Sequence, residues 1–178
     1  MAKLKIDIVS DVVCPWCLLG KARLEQALAS LPEVEAEIHW RPYMLDPSIP
    51  RGGVDRKAHA RLEGLGREVG VHYKFDAIKV SPNTMDAHRM IRWAAQAGPG
   101  IQNKVVDRLF RLYFEEGANI GDHEVLVSVA RDCGMDPEIV RQLLPLDAEE
   151  AGVIGEIAEA KKIGIQGVPC FIFNQKYA

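Results

Sequence analysis

The stretch Leu4-Lys5-Ile6-Asp7-Ile8-Val9-Ser10-Asp11-Val12-Val13-Cys14-Pro15-Trp16-Cys17 decides how this chain is read. Its first half alternates, with Leu4, Ile6 and Ile8 on one face and Lys5 and Asp7 on the other, which is the two-residue period of a strand. After Cys17 the period lengthens. Leu24, Ala27, Leu28 and Leu31 recur at helical spacing, and Pro15 suits a first helical turn because its missing N–H would have no intrahelical partner there. Cys14 therefore falls at or beside an N-cap. Unpaired backbone N–H groups and the positive end of the macrodipole favour a thiolate at that place. Cys14 is the expected nucleophile, ionised and reachable from solvent. Cys17, one turn on, can close a disulfide with it or resolve a mixed disulfide.

Two rival readings of the pair are weaker. A structural zinc site needs a second pair of ligands, but Cys133 stands alone and Cys170 has no cysteine two or three residues away, so no metal set is legible. Two buried structural thiols would leave Pro15 and Trp16 at a strand-to-helix junction as coincidence. Composition is that of a globular chain, with 178 residues, 48% of them hydrophobic. Twenty-two basic and 25 acidic residues are intermixed for a net charge of -3, so no basic tract points to nucleic acid or an anionic membrane. No run approaches the ~20 apolar residues that span a bilayer. Met1-Ala2-Lys3-Leu4 enters the first strand directly, leaving no room for a signal peptide, so a cytoplasmic location is expected. In a reducing compartment a C-x-x-C pair reads as catalytic or metal-binding, and redox catalysis is the better of the two.

A second strand is legible at Val34–Arg41, where Val34, Ala36, Ile38 and Trp40 alternate with polar neighbours, and a parallel pair joined by a right-handed crossover is expected. Pro42, Pro47, Pro50, Gly52 and Gly53 then break regular structure. From about 55 to 163 the pattern is helical and no strand is evident. Asn83 is an expected N-cap with Asp86 near N3, followed by the stripe Ala87, Met90, Ile91 and Ala94. Asp122 caps a segment carrying Val125, Val129 and Cys133 before Gly134. Asp136-Pro137 opens a short helix through Leu144, and Asp147 opens another that stops at Gly164. Val168-Pro169-Cys170-Phe171-Ile172-Phe173 returns to strand chemistry. The order describes a two-layer α/β domain, residues 1–45 and 164–178, interrupted by an all-helical insertion, 46–163.

Three pieces carry a family resemblance: Ser10–Cys17 with Leu19-Gly20-Lys21; Asn83-Thr84 with Ala87-His88-Arg89; and Gly164–Pro169 with Phe171-Ile172-Phe173. On these the chain resembles the DsbA-like thioredoxin-fold oxidoreductases, in their FrnE branch. The resemblance implies a thioredoxin fold with a helical insertion, Cys14 as attacking thiolate, Cys17 as resolving thiol, and Pro169 as a cis-proline facing them. Pro15, Trp16, Val168 and Pro169 would border the substrate. A protein or small-molecule disulfide is the implied substrate, with no organic cofactor or metal and with glutathione as a candidate reductant beside Val168.

Family members continue beyond the last hairpin into a further strand and helix, whereas this sequence ends at Ala178. An edge left open there would favour a homodimer. Trp16 stands where DsbA has a histidine, which predicts a milder oxidant. Cys170 after Pro169 is unexpected and reads as core packing ahead of an extra redox thiol. His88 reads as structural ahead of catalytic. Two alternatives stay open: a glutathione-dependent isomerase or transferase of the hydroxychromene-carboxylate isomerase and kappa-class type, which characteristically has serine at the nucleophile position, and a non-catalytic peptide-binding or chaperone module.

Overall fold

The computed structural model describes residues 3–55 and 62–178. The beginning of the expected helical block, with His59, and the entry at Met1-Ala2 lie outside the described residues. The alternating run forms strand β1 (Leu4–Ser10), and helix α1 (Pro15–Ala29) follows with Cys14 as N-cap and Pro15 in its first turn. Strand β2 (Ala36–Pro42) lies parallel to β1, with Leu4 opposite Ala36 and Ser10 opposite Pro42. The last strand of the sheet is antiparallel to β1 on its other side, so β1 is central.

Between these parts run strand β3 (Val54–Asp55), helix α2 (Glu63–Glu68), a single 3-10 turn (Phe75–Ala77) and strand β4 (Val80–Ser81). Then come α3 (Met85–Ala97), α4 (Ile101–Phe114), α5 (His123–Cys133), α6 (Pro137–Leu143), α7 (Glu150–Lys162) and the closing strand β5 (Cys170–Phe173). Asp122 and Asp136 cap α5 and α6 as expected, each accepting two backbone N–H bonds at 2.8–3.3 Å.

Four expectations are corrected. The insertion is not all helical, because β3 and β4 pair antiparallel; two-residue strands are too short to show an alternating period. The cap of α3 is Thr84, with Asn83 one residue earlier accepting from the Met85 N–H at 2.9 Å. Helix α7 begins at Glu150 instead of Asp147, after Glu149 in a left-handed conformation (φ 65°). The stripe Leu24, Ala27, Leu28, Leu31 is not the core face of α1: Leu24 and Leu28 are half-buried and Ala27 and Leu31 exposed, while Cys17, Leu18, Leu19 and Lys21 are the buried positions.

Alternation sends Ile6 and Ile8 into a core built mostly by α3, α4 and α5, and sends Val9 to the other face with Tyr43 and Ala160. The first cluster runs without a break from Ile6, Ile8, Val12, Cys14 and Cys17 to Leu109, Phe110, Phe114 and Leu126. Trp40 packs edge-on against Phe110 and donates its ring N–H to Asn103 at 3.0 Å. Gln102 accepts from the Trp40 N–H and donates to the Trp40 carbonyl, so α4 satisfies backbone groups that edge strand β2 would otherwise leave open. Lys21, nearly buried, joins Glu25 at 2.7 Å and Asp107 at 2.9 Å and ties α1 to α4.

Candidate active site

The two cysteines sit where β1 hands over to α1. The Cys14 N–H donates to the Asp11 carbonyl, and the Cys14 carbonyl accepts from Cys17 and Leu18, so the first helical hydrogen bonds close directly behind the sulfur. All four cysteines are unpaired. A hydrogen bond from the Cys17 thiol is the main cause that lowers the Cys14 pKa; burial opposes it, the N–H groups of Cys17 and Trp16 assist, and the Asp11 charge opposes. Burial, then the neighbouring Cys14, pushes the Cys17 thiol well up. The pair is thus split, one sulfur prone to ionise and the other held protonated.

Cys14 is not open to solvent as expected. Its residue exposure is 3%, and that of Cys17 is 1%. The exposed member of the motif is Trp16, at 52%. The Cys14 sulfur lies 3.7 Å from the Val168 carbonyl oxygen, and the Val168–Pro169 peptide bond is cis. Gly20 makes this approach possible: a Cβ there would lie 3.0 Å from the Phe171 ring and 3.2 Å from Pro169. Cys14, Cys17, Val168 and Pro169 are therefore gathered at one place. Cys170 is not with them; it lies half-buried in the cluster of Val9, Tyr43 and Ala160.

Three neighbours went unassigned from the sequence. The Tyr73 hydroxyl donates to the Pro15 carbonyl at 2.6 Å. The Asp11 carboxylate, 1% exposed, accepts from the Leu45 N–H at 2.8 Å through one oxygen, while its other oxygen has no hydrogen-bond partner and faces His88 Nε2 at 3.4 Å. Ser10 Oγ is likewise buried without a partner of normal geometry. His88 is buried and its Nε2 is 2.9 Å from the Tyr43 carbonyl. A carbonyl only accepts, so that nitrogen carries the proton, in keeping with a structural histidine. Asp11 was legible as part of the motif, but Tyr73 has no local signal, because its contact spans 58 residues.

Among the described residues, no group of three His, Cys, Asp or Glu side chains could hold a metal ion, and no helix is long and apolar enough to cross a membrane. A cleft of about 550 Å³, lined by Val9, Arg41, Ala160, Ile163 and Ile172, opens on the sheet face that carries α7, and neither cysteine of the motif lines it.

A cysteine pair on the first turn of a helix, set against a cis-proline that leads into an antiparallel strand beside a parallel pair, defines a thioredoxin-fold site. The chain belongs to the DSBA-like thioredoxin domain family, which it matches over residues 5–178. Among curated proteins it is similar to the uncharacterized protein YwbO of Bacillus subtilis (strain 168), at 30% identity over 139 residues, 74% of this chain and 66% of that protein. Among solved structures it is similar to a probable DsbA oxidoreductase from Streptomyces coelicolor, with 28% identity and TM-score 0.84, covering 98% of this chain and 82% of that one. The fold is also that of the cytosolic disulfide reductase DsbM from Pseudomonas aeruginosa, solved with GSH: 16% identity, TM-score 0.64, 97% of this chain and 87% of that one.

Proposed function

We propose that the protein is a thiol–disulfide oxidoreductase working through Cys14 and Cys17. The Cys14 thiolate attacks one sulfur of a substrate disulfide, forming a mixed disulfide and releasing the other sulfur as a thiolate. Cys17 then gives up its proton and attacks the Cys14 sulfur. The substrate's second thiolate leaves, and the protein is left with a Cys14–Cys17 disulfide. Two electrons have passed to the substrate, and two molecules of glutathione, which leave joined as glutathione disulfide, restore the starting dithiol. Run backwards, the same steps oxidise a substrate dithiol.

The observation that carries this reading is the placement of Cys14 as N-cap of α1, with Cys17 one turn on and the carbonyl of the cis Val168–Pro169 peptide 3.7 Å from the Cys14 sulfur, and the opposed directions of the two thiols agree with it. Trp16 and Pro15 offer an apolar platform beside the sulfur. The Val168 carbonyl, on the other side, can accept from an extended peptide. Because Cys14 is nearly covered, substrate docking along Trp16 and Val168 is part of bringing a disulfide to it. With no basic residue between the cysteines, the thiolate is stabilised by hydrogen bonds and the helix start without a cationic side chain, which favours a mild couple acting as reductase or isomerase in a reducing compartment.

Reduction of insulin disulfides tests the reading. Wild type should be active, Cys14→Ser inactive, and Cys17→Ser should accumulate a mixed disulfide at Cys14. A Cys14→Ser protein that keeps full activity removes the proposal.

A further inference from the structure

The Pro15–Trp16 peptide unit is engaged on both sides. Its carbonyl accepts the Tyr73 hydroxyl at 2.6 Å. Its N–H, on the opposite side of the same rigid plane, lies in the first turn of α1 beside Cys14 and is, after that of Cys17, the second backbone N–H that favours the ionised sulfur. At a first helical turn this N–H has no intrahelical partner, so its direction is set by what holds the plane, which is the helical bond into the Pro15 carbonyl and the Tyr73 hydroxyl beside it. Tyr73 is well placed to add to that hold. Its residue is 7% exposed, its ring stacks on Phe75 at 4.9 Å and 8° and meets Phe114 edge-on at 5.3 Å, and Gly66 lies so close that a Cβ there would come within 2.7 Å of the ring. Burial, then the charges of Cys14 and Cys17, pushes the phenol above the ordinary tyrosine range, so it remains a donor wherever Cys14 titrates.

We propose that Tyr73 is a positioning residue for the nucleophile, gripping the Pro15 carbonyl so that the Trp16 N–H stays aimed at the Cys14 sulfur and stabilises its thiolate. The proposal rests on Cys14 being the attacking thiolate. Two physical effects act together. The grip removes rotational freedom from the first-turn peptide, and a carbonyl that accepts a strong hydrogen bond makes the amide of the same unit a better donor. The other influences on the sulfur are the Cys17 thiol and N–H, which favour ionisation, and burial, the Asp11 carboxylate and the Val168 carbonyl at 3.7 Å, which oppose it; all remain when residue 73 changes. Tyr73 belongs to the inserted segment, so the ring packing of that segment is linked through one peptide plane to the reactivity of a sulfur on α1.

Tyr73→Phe keeps the ring and deletes only the hydroxyl. In a Cys17→Ser background, the Cys14 titration midpoint should rise and the rate of its alkylation below that midpoint should fall about two- to threefold, the lower end of one neutral hydrogen bond, because the Trp16 N–H itself stays in place. With both cysteines present, equilibrium with glutathione should shift toward the protein disulfide, because the reduced form has lost stabilisation. An unmoved midpoint in a Phe variant with wild-type near-ultraviolet dichroism overturns the proposal. Wild-type protein supplies a check that does not depend on the variant folding: the Trp16 amide resonance should titrate with the Cys14 midpoint, and a Trp16 amide indifferent to that titration also overturns it. Failure of the insulin assay with this linkage intact would remove the proposed activity alone.

Discussion

Arg89→Met tests how the helical segment is held together. Arg89 is 1% exposed, on α3, and its guanidinium spends its donors on the turn between α6 and α7: Nε to Ala148 O at 2.7 Å, Nη1 to Leu144 O at 3.1 Å, Nη2 to Leu143 O at 2.9 Å and to Leu146 O at 2.5 Å. Nη1 also meets Asp86 Oδ1 at 2.6 Å. Methionine fills much of the volume but offers no donor. The Leu143 carbonyl keeps the Leu146 N–H at 3.1 Å, so three carbonyls are orphaned, and at about 1–3 kcal/mol each the loss approaches ~9 kcal/mol. Leu146 is 58% exposed, however, so water can reach part of this turn, and Asp86 keeps Arg51 as a partner. The scale set by breaking a buried ion pair, about 3–5 kcal/mol, is the better expectation. For a chain of this size that corresponds to a fall in Tm of roughly 6–20 °C. Thermal unfolding followed by circular dichroism, repeated in urea, measures it. A fall below about 3 °C would show that the turn does not depend on the guanidinium.

Asp11→Asn retains an acceptor for the Leu45 N–H while deleting the charge that opposes ionisation of Cys14; the alkylation midpoint of Cys14 should move down and the dithiol become more oxidising, and a midpoint that stays or rises refutes the assignment. Burial raises the Asp86 carboxyl, but hydrogen bonds from Arg51 and Arg89, the Arg51 charge and His123 outweigh it and hold its pKa below the ordinary aspartate value. A depressed carboxyl contributes stability above its unfolded pKa that is lost as pH falls through the folded one, so the urea midpoint should drop below about pH 4 and drop less in Asp86→Asn. Equal pH slopes in the two proteins would argue against it.

The sequence made legible what is written in neighbouring residues. Alternation announced β1 and β2, Pro15 announced the start of α1, and Asp122 and Asp136 announced their helices because an N-cap bond reaches only two or three residues ahead. The cysteine pair followed from the same local logic. The misreadings come from places where tertiary structure decides. Leu24 and Leu28 have helical spacing, yet α1 turns Lys21 inward because Asp107 on α4 meets it. Glu149 takes a left-handed conformation and delays α7, with its carboxylate held by Arg92. Tyr73 has no motif around it; only the packing of Phe75, Phe114 and Gly66 brings its hydroxyl to the first turn of α1. The cover over Cys14 likewise depends on chain that returns more than 150 residues later.

One apolar cluster serves both the sheet and the helices inserted between its strands, and this bears on how such a chain can be altered. Phe110 and Phe114 belong to the same apolar cluster as Val12, Cys14 and Cys17, so the insert cannot be traded like a cassette. Cutting it out would bare Ile6, Ile8 and Trp40 to water along with Cys14 and Cys17. Limited proteolysis should accordingly release no folded fragment that keeps the cysteine pair in place.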